Sequence, residues 1–131
     1  MYAQDMTKSL MILISGPYMS GTNGDEAAIA RNLNAMEDYA LPIFQMGHIA
    51  VVGEWLAWPV IRQAGGDSHS SEQFSEYQYP VAHRLLEKCD AVLRIPGESR
   101  GATVSELFVG GLWTCGVEVP EQGFTAYFFG K

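Results

Sequence analysis

The segment from residue 90 to residue 116 constrains the fold more than any other part of the chain. It opens with a short apolar run at residues 91–95, whose length and β-branched content are typical of a buried strand. The run ends at Pro96-Gly97, and an apolar helical periodicity begins near Thr103. In an open α/β sheet, ligands lie where strands end and the next helices begin, because unpaired helix N–H groups point there. The joint, where we expect the chemistry, carries four polar side chains: Glu98, Ser99, Arg100 and Glu106.

The same alternation of strand and helix patterns continues through the rest of the chain. Apolar runs predict strands at residues 11–14, 48–52, 91–95, 117–119 and 125–129. Helical periodicity predicts helices at residues 26–46, 55–64, 80–88 and 103–114, with Asp25 as the N-cap of the first. We expect Pro42 and Pro59 to kink or split their helices and Pro80 to lie in a first turn. This order predicts a three-layer α/β fold with a mostly parallel sheet of about five strands.

Composition and charge exclude several classes of function. The 131 residues fit a single domain, 1–131, and the net charge of −7 argues against a nucleic acid polymer as partner. No apolar run approaches the roughly twenty residues that cross a bilayer, so we expect no membrane partner. The apolar run after the polar residues 1–10 is only about five residues long, which predicts no secretory leader. Cys89 and Cys115 lack a ligand spacing, which favours buried thiols and a cytoplasmic location.

The histidines give no indication of a metal site. The three of them, His48, His69 and His83, stand at spacings that do not match those of known metal-ligand motifs. We therefore predict neither a metal nor any other cofactor.

The glycine-bearing loop at residues 16–24 has two interpretations. In the functional one, its N–H groups and the hydroxyls of Ser20 and Thr22 hold a phosphate or sugar, and Tyr18 reaches into the pocket. In the structural one, the glycines only supply the backbone angles of a turn. The loop matches neither the P-loop nor the dinucleotide-binding fingerprint, so both interpretations remain open.

Glu106 and its neighbours also have both a structural and a functional interpretation. Thr103 and Glu106 match a capping box, in which each side chain satisfies the other's backbone N–H group. Alternatively, Glu106 is a carboxylate at a helix N-terminus, kept ionised by the helix dipole and able to act as a nucleophile. Ser99 and Arg100 either bind phosphate or form a solvated turn. Trp55 and Trp58 either stack on a base or belong to the core.

Three segments together resemble a known family. ILISGPY near the start, ARNLNAMEDYALPIFQMGHIAVV and CDAVLRIPGESRGATVSE resemble, in order and spacing, the nucleoside 2-deoxyribosyltransferase-like family, which includes nucleoside 5'-monophosphate N-glycosidases and small bacterial and phage members. The resemblance spans most of residues 11–116. It implies a flavodoxin-like, Rossmann-like fold and a homo-oligomer, either a dimer or a tetramer. It also implies an N-glycosidase or a deoxyribosyltransferase, that is, a hydrolase or a transferase.

The resemblance and the chemistry of the loop residues together assign roles to individual residues. Glu106 would attack the anomeric carbon, and Tyr18 would be the second catalytic residue. Substrate binding would fall to Gly16, Pro17, Ser20, Ser99, Arg100 and Gly101. Because Ser99, Arg100 and the Gly16 loop suit an anion, the nucleoside monophosphate is the preferred substrate class.

Two departures from the family keep other functions open. Ala82 stands where relatives carry an Asp that assists proton transfer, so His83 or Glu98 would have to substitute. Ser99 and Glu106 are also one residue further apart than in the family pattern. The alternatives are a nucleotide-binding module without catalysis and an assembly protein whose aromatic run at Phe124–Phe129 packs in an interface.

Overall fold

The computed structural model describes residues 9–95, 113–119 and 124–129. Within these ranges the chain forms five strands and four helices. In chain order they are β1 (Met11–Ser15), α1 (Glu26–Glu37), α2 (Ala40–Gln45), β2 (Ile49–Val52), α3 (Gly53–Gln63), α4 (Glu72–Lys88), β3 (Ala91–Arg94), β4 (Trp113–Val119) and β5 (Phe124–Phe129). The predicted α/β class is confirmed, and the first three strands lie within a residue of their predicted bounds. No helix of the described ranges is long and apolar enough to cross a membrane.

The sheet joins a parallel part to an antiparallel part. Its strand order is β2-β1-β3-β5-β4. β1 pairs in parallel with both neighbours, so that Ile14 stands level with Val52 on one side and Leu93 on the other. β5 runs antiparallel to β3, and β4 runs antiparallel to β5.

The prediction of a mostly parallel sheet therefore holds only for β2, β1 and β3. Residue 119 ends β4 and residue 124 begins β5. A connection this short allows only an antiparallel pair, because a parallel pair needs a crossover of about a dozen residues or more.

Residues of the parallel strands alternate between two apolar clusters. Ile12 and Ile14 belong to a cluster with side chains from all four helices, whereas Leu13 lies in a second cluster with Val92 and the end of α4. This alternation follows from the two-residue period of a strand. β1 and β3 are buried on both sides, which explains why they are continuous apolar runs in the sequence.

The predicted helix at residues 26–46 is two helices. α1 ends at its C-cap Asp38, and α2 carries Pro42 in its first turn. A proline ring clashes with the carbonyl four residues earlier, here that of Asp38, so the break precedes Pro42. Gly47 follows α2 with φ +96°, the left-handed conformation expected after a helix.

Pro59 and Pro80 stand inside α3 and α4, respectively, so the expected interruption at Pro59 and the first-turn placement of Pro80 were both wrong. α4 begins at Glu72, where the Ser71 hydroxyl accepts a hydrogen bond from the Phe74 N–H at 3.2 Å. Both prolines are solvent-exposed. The carbonyls that they leave without an intrahelical donor can therefore bond to water.

The predicted helix at residues 103–114 was wrong at its end, because residues 113 and 114 belong to β4. β4 pairs with β5 from Trp113 to Val119, and such cross-strand partners are invisible to a local helical period. The rest of that predicted helix lies outside the described residues.

Candidate functional site

The loop after β1 meets the end of β3 at the carboxyl edge of the sheet. A Cβ atom on Gly16 would overlap Ile95 Cγ1 and would lie 2.8 Å from Ile95 Cδ1. The Ile95 N–H donates to the Ser15 carbonyl at 2.9 Å, which continues the β1–β3 pairing past the end of the strands. Gly16 is therefore required for close packing, and Ile95 lies directly beside the start of the 16–24 loop.

The 16–24 loop is held by its own polar groups and by α1. The Asn32 amide donates to the carbonyls of Tyr18 at 2.8 Å and Ser20 at 3.5 Å. The Thr22 hydroxyl is buried and donates to the Met19 carbonyl at 2.6 Å. Positive φ angles at Gly21, Asn23 and Gly24 form the turn before α1. Thr22 thus serves the loop itself, as the structural interpretation holds, while Ser20 remains partly exposed.

Tyr18 points inward from this loop. Its side chain is buried, and its hydroxyl accepts a hydrogen bond from Trp58 Nε1 at 3.1 Å and lies 2.7 Å from His69 Nε2. Burial raises the pKa of the Tyr18 phenol, the Trp58 hydrogen bond opposes the rise, and the charges of Glu54 and Glu26 add to it. Tyr18 therefore stays a neutral phenol at neutral pH.

His69 joins three parts of the molecule. It lies on the turn between α3 and α4, and its ring packs at 4.9 Å from Trp58 and 5.3 Å from Phe74 between ring centroids. Its Nδ1 atom is 3.2 Å from Glu26 Oε2, in the first turn of α1. The His69 side chain is 17% exposed and that of Glu26 is 74% exposed. A carboxylate, an imidazole and a phenol therefore form a chain from the surface to the interior.

Glu54 is a second carboxylate near this cluster. It lies in the first turn of α3, directly after β2, and its Oε2 atom accepts a hydrogen bond from Gln78 Nε2 at 3.4 Å. Burial raises the pKa of the Glu54 carboxyl, and hydrogen bonds to its own backbone and to Gln78 oppose that rise. Such a carboxyl takes up a proton more readily than an exposed one, as a general acid requires.

The position of Ala82 is also defined by α3. A Cβ atom built on Gly53 would lie 3.6 Å from Ala82 Cβ, an ordinary contact distance. Ala82 therefore faces Gly53, which begins α3 and directly precedes Glu54.

Half of the predicted site residues lie within the described ranges. Gly16, Pro17, Tyr18 and Ser20 share the loop after β1. The other half, Ser99, Arg100, Gly101 and Glu106, lies outside the described residues, as does Glu98. Of the two tryptophans, Trp58 packs against the core, whereas Trp55 is 40% exposed and donates to Glu37 at 2.7 Å.

Sequence reasoning missed His69, Glu26 and Glu54 as members of this cluster. His69 meets Tyr18 across 51 positions of sequence, and no local pattern indicates such a contact. The Glu54 position carried a usable signal, because it opens a helix directly after an apolar strand.

Two further polar residues act at the opposite edge of the sheet. Asp90 Oδ2 accepts a hydrogen bond from the Met11 N–H at 3.0 Å, and the Asp90 N–H donates to the Met11 carbonyl at 2.8 Å. His48 Nδ1 accepts from the Leu10 N–H at 3.1 Å. Both residues fix the start of β1 and lie away from the candidate site.

Within the part of the chain that the structure describes, no three His, Cys, Asp or Glu side chains are grouped as a metal site would require. Comparisons of the chain with models of protein families, with curated proteins and with solved structures found no match.

Proposed function

We propose that this chain cleaves the N-glycosidic bond of a nucleoside or nucleoside 5'-monophosphate and passes the sugar to water or to a second base. Glu106 is the proposed nucleophile. The observation that carries the proposal is the contact between Gly16 and Ile95. It supports the proposal because Ile95, which precedes the segment of Ser99 and Glu106 in the sequence, packs against the first residue of the loop that carries Tyr18. We include in the proposal that β2, β1 and β3 are the core of a flavodoxin-like fold, in which ligands bind at this edge.

The proposed reaction divides one difficult displacement into two easier ones. The Glu106 carboxylate attacks the anomeric carbon as the bond to the base breaks, and the glycosyl-enzyme then passes the sugar to water or to a second base. Gly16, Pro17 and Ser20 would contact the sugar from one side. Ser99, Arg100 and Gly101 would hold the 5'-phosphate, since a guanidinium and a hydroxyl are suited to phosphate oxygens.

The first test measures release of free base. The purified protein is incubated with nucleosides and nucleoside monophosphates, including 5-modified pyrimidines, and the products are identified by mass spectrometry. We expect base release by the wild type and none by Glu106→Ala. Arg100→Ala should raise the KM for the monophosphate far more than for the nucleoside. Base release that survives in Glu106→Ala would remove Glu106 from the mechanism, and an equal KM effect would remove the phosphate contact.

A second candidate function is nucleotide binding without turnover. It is favoured by Ala82, which faces the start of α3 where a proton-transferring Asp would be expected. Calorimetry distinguishes the two functions, because a binding module gives a clear heat of nucleotide binding while no base is released over a long incubation. In that case Glu106 would be a helix cap only.

We also propose that two copies of the chain associate through the surface around β2. Among the described strands β2 lies at one edge of the sheet, so one side of its backbone has no strand partner within the described residues. Large apolar side chains are exposed on β2 itself and on the segments before and after it: Leu41, Phe44, Met46, Ile49, Trp55, Leu56 and Val60. A second copy would cover the apolar side chains and the open edge together. Cys89 is buried, as expected of a thiol in a reducing compartment, and the cytoplasm is the location that we propose.

A further inference from the structure

We propose that Tyr18, His69 and Glu26 form a proton-transfer array that protonates the leaving base, a role that rests on the proposed cleavage of the N-glycosidic bond. Departure of a base leaves an electron pair on its nitrogen, and a positioned proton donor assists such a step. No motif indicated a donor, and Ala82 occupies the position where one was expected. The array supplies a proton donor, and its three residues come from two loops and one helix.

The hydrogen bonds of the array fix where its protons are. Trp58 Nε1 can only donate, so the Tyr18 oxygen accepts at that 3.1 Å contact. The Glu26 carboxylate can only accept, so the proton at the 3.2 Å contact is on His69 Nδ1. A neutral imidazole then has a free lone pair on Nε2, and the Tyr18 hydroxyl donates to it at 2.7 Å. In its neutral form, His69 is therefore protonated on Nδ1.

Protonation of His69 reverses the bond to Tyr18. The imidazolium has N–H groups at both nitrogens, so Nε2 now donates to the Tyr18 oxygen. That oxygen already accepts from Trp58. With two donors on its oxygen, Tyr18 no longer directs its own O–H at His69 and can donate it to a bound base.

The transfer balances in one turnover. As the bond from the anomeric carbon to the base nitrogen breaks, its electron pair stays on the nitrogen and a Glu106 oxygen bonds to the carbon. The base nitrogen takes the proton of the Tyr18 hydroxyl, and the Tyr18 oxygen takes the proton of His69 Nε2. His69 returns to the neutral form protonated on Nδ1, and solvent at its exposed edge supplies the next proton.

The surroundings suit this sequence of steps. The raised pKa of the Tyr18 phenol keeps its proton in place until His69 can replace it. In the described residues, the charges that act on Tyr18 are Glu26 on α1 and Glu54 on α3. Both are acidic, and each therefore disfavours a phenolate at Tyr18.

The turn that carries His69 is closely packed, and this packing fixes the position of the imidazole. Gly65 has φ +101°, and a Cβ atom on Gly66 would lie 2.7 Å from Ile61 and 2.8 Å from Gln73. The imidazole is additionally packed between Trp58 and Phe74. Glu26, in contrast, is mostly exposed, so its part is to select the tautomer of His69, and its loss should cost less than loss of His69.

The first experiment needs no activity. Nitrogen chemical shifts of the His69 side chain, measured by NMR on labelled protein at neutral pH, report which nitrogen is protonated. We expect the Nδ1-protonated tautomer in the wild type and a mixture of tautomers in Glu26→Gln, which exchanges an exposed carboxylate and leaves the core intact. A wild-type His69 protonated on Nε2 would overturn the proposed direction of proton transfer.

The second experiment varies the leaving group. Tyr18→Phe and His69→Gln are compared with wild type on a nucleoside monophosphate and on 4-nitrophenyl riboside, whose leaving group departs without a proton. We expect each variant to lose about 10²- to 10⁴-fold in kcat on the nucleotide and to be nearly unchanged on the nitrophenyl substrate. The kcat of the double variant on the nucleotide should be no lower than that of the less active single variant, because the two residues act as a unit.

Controls separate the possible failures. Ser70→Ala, next to His69 and exposed, should behave as wild type on both substrates, and thermal unfolding checks that every variant is folded. Equal losses on both substrates would overturn the array while leaving the cleavage of the glycosidic bond intact. Failure of the wild type to cleave either substrate would instead overturn the proposed function, and the role of the array with it.

Discussion

Gly16 and Ile95 are packed so closely that a methyl group on Gly16 would occupy the space of the Ile95 side chain. The two residues directly follow the paired ends of β1 and β3. The close approach of the residues that follow β1 and β3 therefore depends on the absence of a side chain at residue 16.

Gly16→Ala should lower the free energy of unfolding by about 1–3 kcal/mol, because an added methyl group forces a well-packed core apart. Urea unfolding measures the loss. In the background of Ile95→Ala the same substitution should cost less, since the space is then free. An equal cost in both backgrounds would show that the two residues do not compete for that space.

Asn32→Asp should destabilise the protein by about 1–3 kcal/mol, because it removes the donor to Tyr18 and places a carboxylate against carbonyl oxygens. Hydrogen exchange should also become faster in the 16–24 loop. Asn34→Asp is the matched control, since Asn34 is exposed on the same helix and the change in charge is identical. A similar loss in both variants would attribute the effect to charge alone.

Glu54→Gln should stabilise the protein at neutral pH. Burial raises the pKa of Glu54 in the folded state, so the folded protein holds this proton more tightly than the unfolded chain does. That favourable contribution is fully present below the unfolded pKa, near 4.3, and is lost as pH rises through the folded pKa. The benefit of the neutral Gln should therefore grow from acidic to neutral pH.

Urea unfolding at several pH values tests this prediction, with Glu87→Gln as the control because Glu87 is exposed on α4. A benefit for Glu54→Gln that stays constant with pH would show that the carboxylate is not penalised by burial.

Phe44→Glu should convert a dimer into a monomer. Phe44 is 71% exposed on α2, and a charge there would be buried against the second copy. Sedimentation should give twice the chain mass for the wild type and a single chain mass for the variant. Gln63→Glu, an exposed change of the same charge on α3, should leave the mass unchanged. A monomeric wild type would contradict the proposed association.

The sequence predicted those parts of the fold that depend on local chemistry. Asp25 caps α1 by accepting from the Ala28 N–H at 3.1 Å, and Gly47 adopts the left-handed conformation after α2, both as expected. The apolar runs of β1 and β3 were recognisable because both faces of these strands are buried.

What the sequence could not predict depends on partners far along the chain. The helical period near residue 113 gave no sign that Trp113 opens a strand, because β4 is defined by its pairing with β5. In the candidate site, the 16–24 loop was found from its glycines, whereas the contact of Tyr18 with His69 has no local signature. The start of α4 was missed because three aromatic residues and Pro80 obscured the cap at Ser71.

The position of β5 in the sheet has a consequence for folding during synthesis. β3 pairs with β1 on one side and with β5 on the other, and β5 follows the other four described strands in the chain. Until residues 124–129 have also left the ribosome, an emerged β3 has an open edge on the side that β5 later covers. Nascent chains of this protein are therefore most vulnerable to edge-to-edge aggregation at that stage, and the vulnerability ends when residues 124–129 emerge and pair with β3.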